Sequence, residues 1–251
     1  MKNKPIIEVR NLVVGYGGPV VLKDISFDVY PGEIIVVIGG SGCGKSTLLR
    51  NMVGLHRPVS GSISYWGKDI ARMNEDELAH LLHSVGLSFQ EGALFNSMTV
   101  GDNVALPMEE YGDMHRDLIP ILIRMKLSLV GLGDCGYMMP EELSGGMKKR
   151  VGFARAIAVD PKIVFFDEPS AGLDPIMGAG LDNIILEIRK LMNLTMVVVT
   201  HELESIRSVA DRVLMLDQGE LIFSGTLDEA EQTDQPRVRQ FFERRPDKTI
   251  G

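Results

Sequence analysis

An α/β fold with a buried parallel sheet is what this sequence predicts, on three observations. Ile34-Ile35-Val36-Val37-Ile38, Ile163-Val164-Phe165-Phe166 and Met196-Val197-Val198-Val199 are apolar runs without alternation, as strands covered on both faces read. Each is followed by a small or polar cluster and then a helix-like stretch, such as Leu48 to Leu55 or Gly178 to Met192. That strand-then-helix order belongs to parallel sheets, which take ligands at the carboxyl ends of their strands.

Ahead of the first buried run, Ile6 to Val13 and Ser26 to Tyr30 alternate and carry β-branched residues. They predict a partly exposed antiparallel sheet near the N-terminus, its strands parted by the turn Gly15-Tyr16-Gly17-Gly18-Pro19. From about Glu91 to Asp160 buried strand runs are missing and helical periods dominate, which predicts a helical subdomain.

Composition narrows the function classes. The 251 residues are 45% hydrophobic and 24% charged, as in ordinary globular chains. A net charge of -8 opposes nucleic acid and anionic surfaces, so no nucleic-acid partner is expected. Two cysteines, Cys43 and Cys135, are too few for a disulfide framework and suit a reducing compartment. Met1 to Glu8 lacks the apolar core of a secretory signal, and the longest apolar stretch, Ile119 to Leu132, is broken by Pro120, Arg124 and Lys126. Any membrane role is therefore expected to run through a partner.

The chemistry begins at Gly39-Gly40-Ser41-Gly42-Cys43-Gly44-Lys45-Ser46-Thr47, where Gly39 to Ser46 satisfies G-x-x-x-x-G-K-[ST] between a buried strand and a helix. Glycines allow positive φ and bring backbone N–H groups close to phosphate, the helix start adds partial positive charge, and Lys45 reaches the terminal phosphates. Ser46 is expected to ligate Mg²⁺, and Cys43 to be a tolerated loop side chain. The bland alternative is a glycine turn that binds nothing.

Asp167 and Glu168 end the second buried run. As strand neighbours they are expected to point to opposite sides, Asp167 toward the Mg²⁺ shell and Glu168 toward the water attacking the γ-phosphate. Carboxylates also decorate solvated strand ends, so the phosphate loop is what favours the functional reading. His201 follows the third run and Thr200, a placement that suits contact with the γ-phosphate, while Glu202 reads as a helix-start acid. Further on, Leu143-Ser144-Gly145-Gly146-Met147 opens the helix-like Lys148 to Val159 with a capping serine and two uncovered glycines. Taken alone it is an ordinary capped helix.

The complete ordered set resembles the ATP-binding cassette family, in the form of its transporters' nucleotide-binding subunits, over about Ile6 to Gly225. The resemblance implies a phosphate-loop NTPase with a RecA-like core, an N-terminal antiparallel β subdomain and a helical subdomain. The whole of 1–251 would be one ATPase domain: 1–90 and 161–225 the nucleotide-binding core, 91–160 the helical signature subdomain, and 226–251 a tail. Tyr16 is similar to the aromatic residue that stacks on adenine, Gly39 to Thr47 to the Walker A loop, and Gln90 to the glutamine touching Mg²⁺ or water. Ile163 to Glu168 resembles Walker B with its catalytic glutamate, Ser170-Ala171-Gly172-Leu173-Asp174 the D-loop, and His201 the switch histidine. Ser144, Gly145, Gly146 and Met147 resemble the signature, which acts on a second copy's ATP in a head-to-tail dimer; Met147 departs from the family's glutamine.

Gln90 to Leu106, the Met-ending signature with Lys148-Lys149-Arg150, and the tail Pro236 to Phe242 resemble a narrower branch, the bacterial lipid-asymmetry transporter ATPases and their organic-solvent-tolerance relatives. This implies a phospholipid substrate and a permease contacting Gln90 to Leu106, with Leu94, Phe95 and Met98 as apolar anchors or as core. It further implies a periplasmic lipid-binding subunit with a mammalian-cell-entry type domain, in some members a small cytoplasmic STAS-domain protein, and a place on the cytoplasmic face of the inner membrane. Lys148 to Arg150 reads as one face of the signature helix, and the tail's Arg237, Arg239, Arg244 and Arg245, with Phe241 and Phe242, as packing locally or binding a partner, the latter expected because paired aromatics near a charged terminus need cover. The competing functions are a cell-division-type cassette that signals without moving a solute and a soluble cassette working on DNA or ribosomes; acidity disfavours the latter.

Overall fold

The computed structural model describes residues 4–90, 92–110 and 115–246. Met1 to Asn3, Glu91 in the expected permease zone and the tail's last residues, Asp247 to Gly251, lie outside the described residues. The strands are β1 (Ile7–Gly15), β2 (Val20–Val29), β3 (Ile34–Gly39), β4 (Ser60–Tyr65), β5 (Lys68–Asp69), β6 (Val85–Ser88), β7 (Ile163–Asp167), β8 (Thr195–Val199), β9 (Arg212–Asp217) and β10 (Glu220–Thr226). The α-helices are α1 (Lys45–Met52), α2 (Glu75–His83), α3 (Val100–Glu110), α4 (Ile119–Leu129), α5 (Gly145–Ala156), α6 (Pro175–Met192), α7 (Leu203–Val209), α8 (Leu227–Gln232) and α9 (Pro236–Phe242). They fall into two compact units, residues 4–72 with 201–246, and 73–200.

In the first unit, β2-β1-β4-β5 form the antiparallel sheet that the N-terminal alternation predicts. Ile7, Val9, Leu12 and Val14 of β1 are buried, and the phase slips between Val9 and Leu12, where the register against β2 also shifts. Asn11 causes this: it takes φ 45° and bonds back to β2 through Ser26 Oγ (2.8 Å) and Asp24 Oδ1 (2.7 Å), a bulge that returns the apolar side chains to the core face.

The same unit carries β3, all six residues of which are buried, as the sequence predicts for a strand covered on both faces. It runs parallel to β9, with Ile35 opposite Arg212 and Gly39 opposite Leu216. This register is pinned at its start. Asp211 accepts from Ile34 N through Oδ2 (2.7 Å) and donates its own N–H to Ile34 O (3.0 Å), while Arg212 Nη1 reaches Glu33 Oε1 (2.9 Å). Burial pushes the Glu33 carboxyl above the usual carboxylate range, against the downward pull of a bond from Tyr30 N–H and of Arg212.

In the second unit, β8-β7-β6 run parallel, and α3, α4 and α5 occupy the stretch expected to be helical, with no strand among its described residues. Helix α5 approaches the sheet closely: a Cβ on Gly86 of β6 would overlap the carbonyl of Ala156, and one on Gly152 would lie 2.8 Å from Gly92 Cα. Helix α6 starts at Pro175 because Asp174 caps it, accepting from Ile176 N and Met177 N at 3.0 Å, and stops at Asn193 in the left-handed region.

Candidate active site

The phosphate loop leaves β3 at Gly39, whose φ of 147° and closeness to the Leu216 carbonyl and Cys43 Sγ exclude any side chain. Gly40, Ser41 and Gly42 are exposed, whereas Cys43 and Gly44 are buried. Gly44, at φ 109°, opens α1 without a side-chain cap, and a Cβ there would strike Leu22. The helix therefore starts with backbone N–H groups facing an open glycine loop, which is the chemistry of an anion cradle. Lys45 Nζ bridges the loop's ends, donating to Gly39 O (2.9 Å) and Gly40 O (3.0 Å). Its ammonium is 4.0 Å from Cys43 Sγ; burial raises the thiol's pKa, and Lys45 offsets only part of that rise.

Ser46 and Thr47 sit half-buried in the first turn of α1. Tyr16 is half exposed beyond β1, its ring in a T-shaped contact with His56 at 5.3 Å. His201 precedes α7 with Nε2 3.6 Å from Glu202 Oε1, and Glu202 is the N-terminal flanking residue of that helix without a side-chain cap bond. In the same unit, Gly40 lines a cavity of about 330 Å³ together with Asp217, Arg237, Phe241 and Arg244. Arg237 is tied to Asp217 at 3.2 Å. Phe242 is buried against its own chain and so needs no partner's cover, while Phe241 is half-buried.

The second unit gathers the other predicted residues at the carboxyl ends of its strands. Ser88 pairs with Phe166 and Asp167 with Val199, so Gln90 lies two residues beyond β6 as Glu168 lies beyond Phe166 of β7. One expectation is corrected here. Asp167 is the last residue of β7, and Glu168 leaves the strand at φ 52°, so the alternation of strand side chains does not govern the pair. The Glu168 peptide is instead fixed by its neighbours: its N–H donates to Val199 O (2.8 Å) and its carbonyl accepts from Ala171 N (3.3 Å). A non-glycine residue in that region is strained and is kept there by such bonds.

Ser144 caps α5 as predicted, Oγ accepting from Met147 N at 3.3 Å, with Gly145 exposed and open. Gly146 packs beside Met177 and Leu173, so the segment expected to be the signature lies against the one expected to be the D-loop; Ser170 is buried, and Ala171, Gly172 and Leu173 lead to the cap at Asp174. Sequence reasoning missed how the segment after Gln90 is fastened. Arg155 of α5 donates to Gly92 O (2.6 Å) and Ala93 O (2.9 Å), and the fully buried Asn103 bonds Phe95 N (2.8 Å) and Thr99 O (2.9 Å). Leu94 and Met98 are half-buried and Phe95 is exposed, so Phe95 is not core.

The ABC transporter family model matches residues 22–171. The chain belongs to the ABC transporter family. Its fold is that of the family's ATPase cassettes: the structure of cbiO1 from Clostridium perfringens, part of the ABC transporter complex cbiONQ, superposes with a TM-score of 0.82 at 30% identity over 90% of each chain. A dimeric post-hydrolysis structure of the ATP-binding cassette MJ0796 bound to ADP and Pi gives 0.80 at 28%, covering 88% of this chain and 98% of that one. Among curated relatives, the intermembrane phospholipid transport system ATP-binding protein MlaF of Haemophilus influenzae is 38% identical over 99% of this chain and 94% of its own. The probable ribonucleotide transport ATP-binding protein mkl of Mycobacterium leprae is 40% identical over 98% of this chain and 71% of its own. The chain is an ATP-hydrolysing ABC cassette, as its motifs predicted.

Proposed function

We propose that this ABC ATPase powers phospholipid movement between the inner membrane and the periplasm or outer membrane. The observation that carries the substrate is the end-to-end likeness to MlaF, covering 94% of that protein. Two copies close head to tail around two ATP molecules, and the zone from Gln90 to Leu106 receives a permease, in which exposed Phe95 is the anchor best placed for contact. A periplasmic lipid-binding subunit and a STAS-domain protein complete the assembly, which holds this chain at the cytoplasmic face of the inner membrane. No helix of the described residues is long and apolar enough to cross a membrane, which fits attachment through a partner.

The roles follow from the chemistry of each group. Tyr16 offers a ring face to adenine, and the loop's N–H groups with Lys45 hold the phosphates. Ser46, Asp167 and Gln90 supply a hydroxyl, a carboxylate and an amide oxygen, the hard donors that suit Mg²⁺ alongside water and phosphate oxygens. When bound, that ion neutralises phosphate charge. Glu168 orients water and accepts its proton as the oxygen attacks the γ-phosphorus, the bond to the bridging oxygen breaks, and ADP and phosphate leave. His201 contacts the γ-phosphate. Ser144, Gly145 and Gly146 act on the second copy's ATP through the N-terminus of α5, and the Met147 side chain adds no donor there.

The test is purification of the native membrane complex through a tag on this chain, followed by identification of its subunits and extraction of bound molecules. Phospholipid in stoichiometric amount supports the reading. Bound nucleotide metabolites in place of lipid would favour the substrate named for mkl, and a complex carrying neither would favour a cassette that signals.

A further inference from the structure

The side chain of Lys149 lies on α5, five residues beyond Ser144, and Nζ is 3.3 Å from the carbonyl oxygen of Glu168. We propose that Lys149 is a positioning residue: it holds the Glu168 peptide in its left-handed conformation and thereby couples the aim of that carboxylate to the position of the signature helix in the same chain.

Three contacts meet at the backbone of Glu168, one on its N–H and two on its carbonyl. Glu168 N–H donates to Val199 O of the sheet at 2.8 Å, its carbonyl accepts from Ala171 N at 3.3 Å, and Lys149 Nζ, from helix α5, donates to the same carbonyl. The backbone at φ 52° is intrinsically unfavourable for a residue with a side chain, so its persistence depends on these bonds. Removing the charged donor, whose bond to a carbonyl is stronger than a neutral one, lets the peptide rotate and swings the carboxylate away from the water it must orient. In this role Lys149 touches no reacting atom and acts through Glu168.

The geometry also has a direction. Ser144 caps one end of α5, and Gly146 packs on Met177 and Leu173, so a shift of the signature moves Lys149 with it as part of one helix. This inference rests on the proposed reading that the signature serves the second copy's ATP while Glu168 serves its own. On that reading, Lys149 links closure around one ATP to the hydrolytic carboxylate beside the other.

The experiment compares Lys149→Met, Lys149→Arg and Glu168→Gln in the full membrane complex, by steady-state ATPase kinetics and melting temperature. Lys149→Met is expected to lower kcat about tenfold, with KM for ATP within about twofold and with reduced cooperativity in ATP, while Lys149→Arg, which keeps a charged donor, recovers most of the rate. An unchanged kcat in Lys149→Met overturns the proposal, as does an equal loss in both variants or a loss that follows a fall in melting temperature. Glu168→Gln separates the two layers. If it still turns over normally, the assignment of Glu168 fails and takes Lys149 with it; if it is inactive while Lys149→Met is undiminished, only the Lys149 proposal fails.

Discussion

The guanidinium of Arg155 lies 2.6 Å from the carbonyl oxygen of Gly92, and the same side chain reaches Ala93 O and Asn103 Oδ1. It fastens the segment after Gln90 to α5 from within, and burial lowers its pKa because the charge is partly desolvated. Arg155→Met leaves two backbone carbonyls without their charged donor. It is expected to cost about 2–3 kcal/mol, which for a chain of this size lowers the melting temperature by roughly 5–10 °C. Lys cannot reproduce the fork, so Arg155→Lys is expected to recover only part of the loss. A melting temperature within one degree of wild type in Arg155→Met would show that the clamp carries no stability.

Glu168→Gln keeps the size and shape of the side chain and removes its capacity to accept a proton. ATP is expected to bind with unchanged affinity, while hydrolysis falls by about 10²–10⁴-fold, the range of a lost general base. Single-turnover hydrolysis beside equilibrium ATP binding checks this. Wild-type turnover would exclude Glu168 as the base.

Ser144 is exposed at the N-terminus of α5, and its Oγ accepts from the helix's own Met147 N–H. Ser144→Arg is expected to lower turnover in the complex at least about tenfold by filling the helix start where the second copy's phosphate would lie, and to leave ATP affinity of the isolated chain unchanged. Loss of the cap itself costs only about 1 kcal/mol, so a melting curve separates misfolding from a blocked site. If turnover persists, or if the isolated chain loses ATP binding, the division of labour between copies is wrong.

Legibility of the sequence followed how local each signal is. The apolar runs that became β3, β7 and β8, and the loop from Gly39 to Thr47, could be read directly because burial on both faces and G-x-x-x-x-G-K-[ST] are written in consecutive residues. Strand β6 was missed: it has four residues and includes Gly86, whose missing side chain serves the approach of Ala156, seventy positions away. Strands β9 and β10 form an antiparallel pair at the edge of β3, and their identity depends on the Asp211 and Arg212 bonds to Ile34 and Glu33. The candidate residues stand in motifs that consecutive residues spell out, but the backbone conformation of Glu168 is not spelled out in that way. Its backbone, at positive φ, bonds Val199, Ala171 and Lys149, of which Val199 and Lys149 are far from it in sequence.

Cys43 permits a prediction with a sign. Its thiol is buried in the phosphate loop, and desolvation raises its pKa in the folded chain above the ordinary value, with Lys45 only partly opposing. The folded state therefore keeps the proton more tightly than the unfolded chain does. The stabilisation this gives is fully present below the unfolded thiol's pKa and is lost as pH rises through the folded one. Between pH 7 and 8 the thiol is neutral and covered, so its alkylation by iodoacetamide is expected to be at least about tenfold slower than that of Cys135, which is only half-buried. Mass spectrometry of the two cysteine peptides after timed labelling measures the ratio directly. Cys43→Ser, which does not titrate in this range, should remove the part of the alkaline loss of stability that Cys43 causes; equal labelling of both thiols, or an alkaline stability profile unchanged by Cys43→Ser, would mean that the loop is open enough to solvate the sulfur.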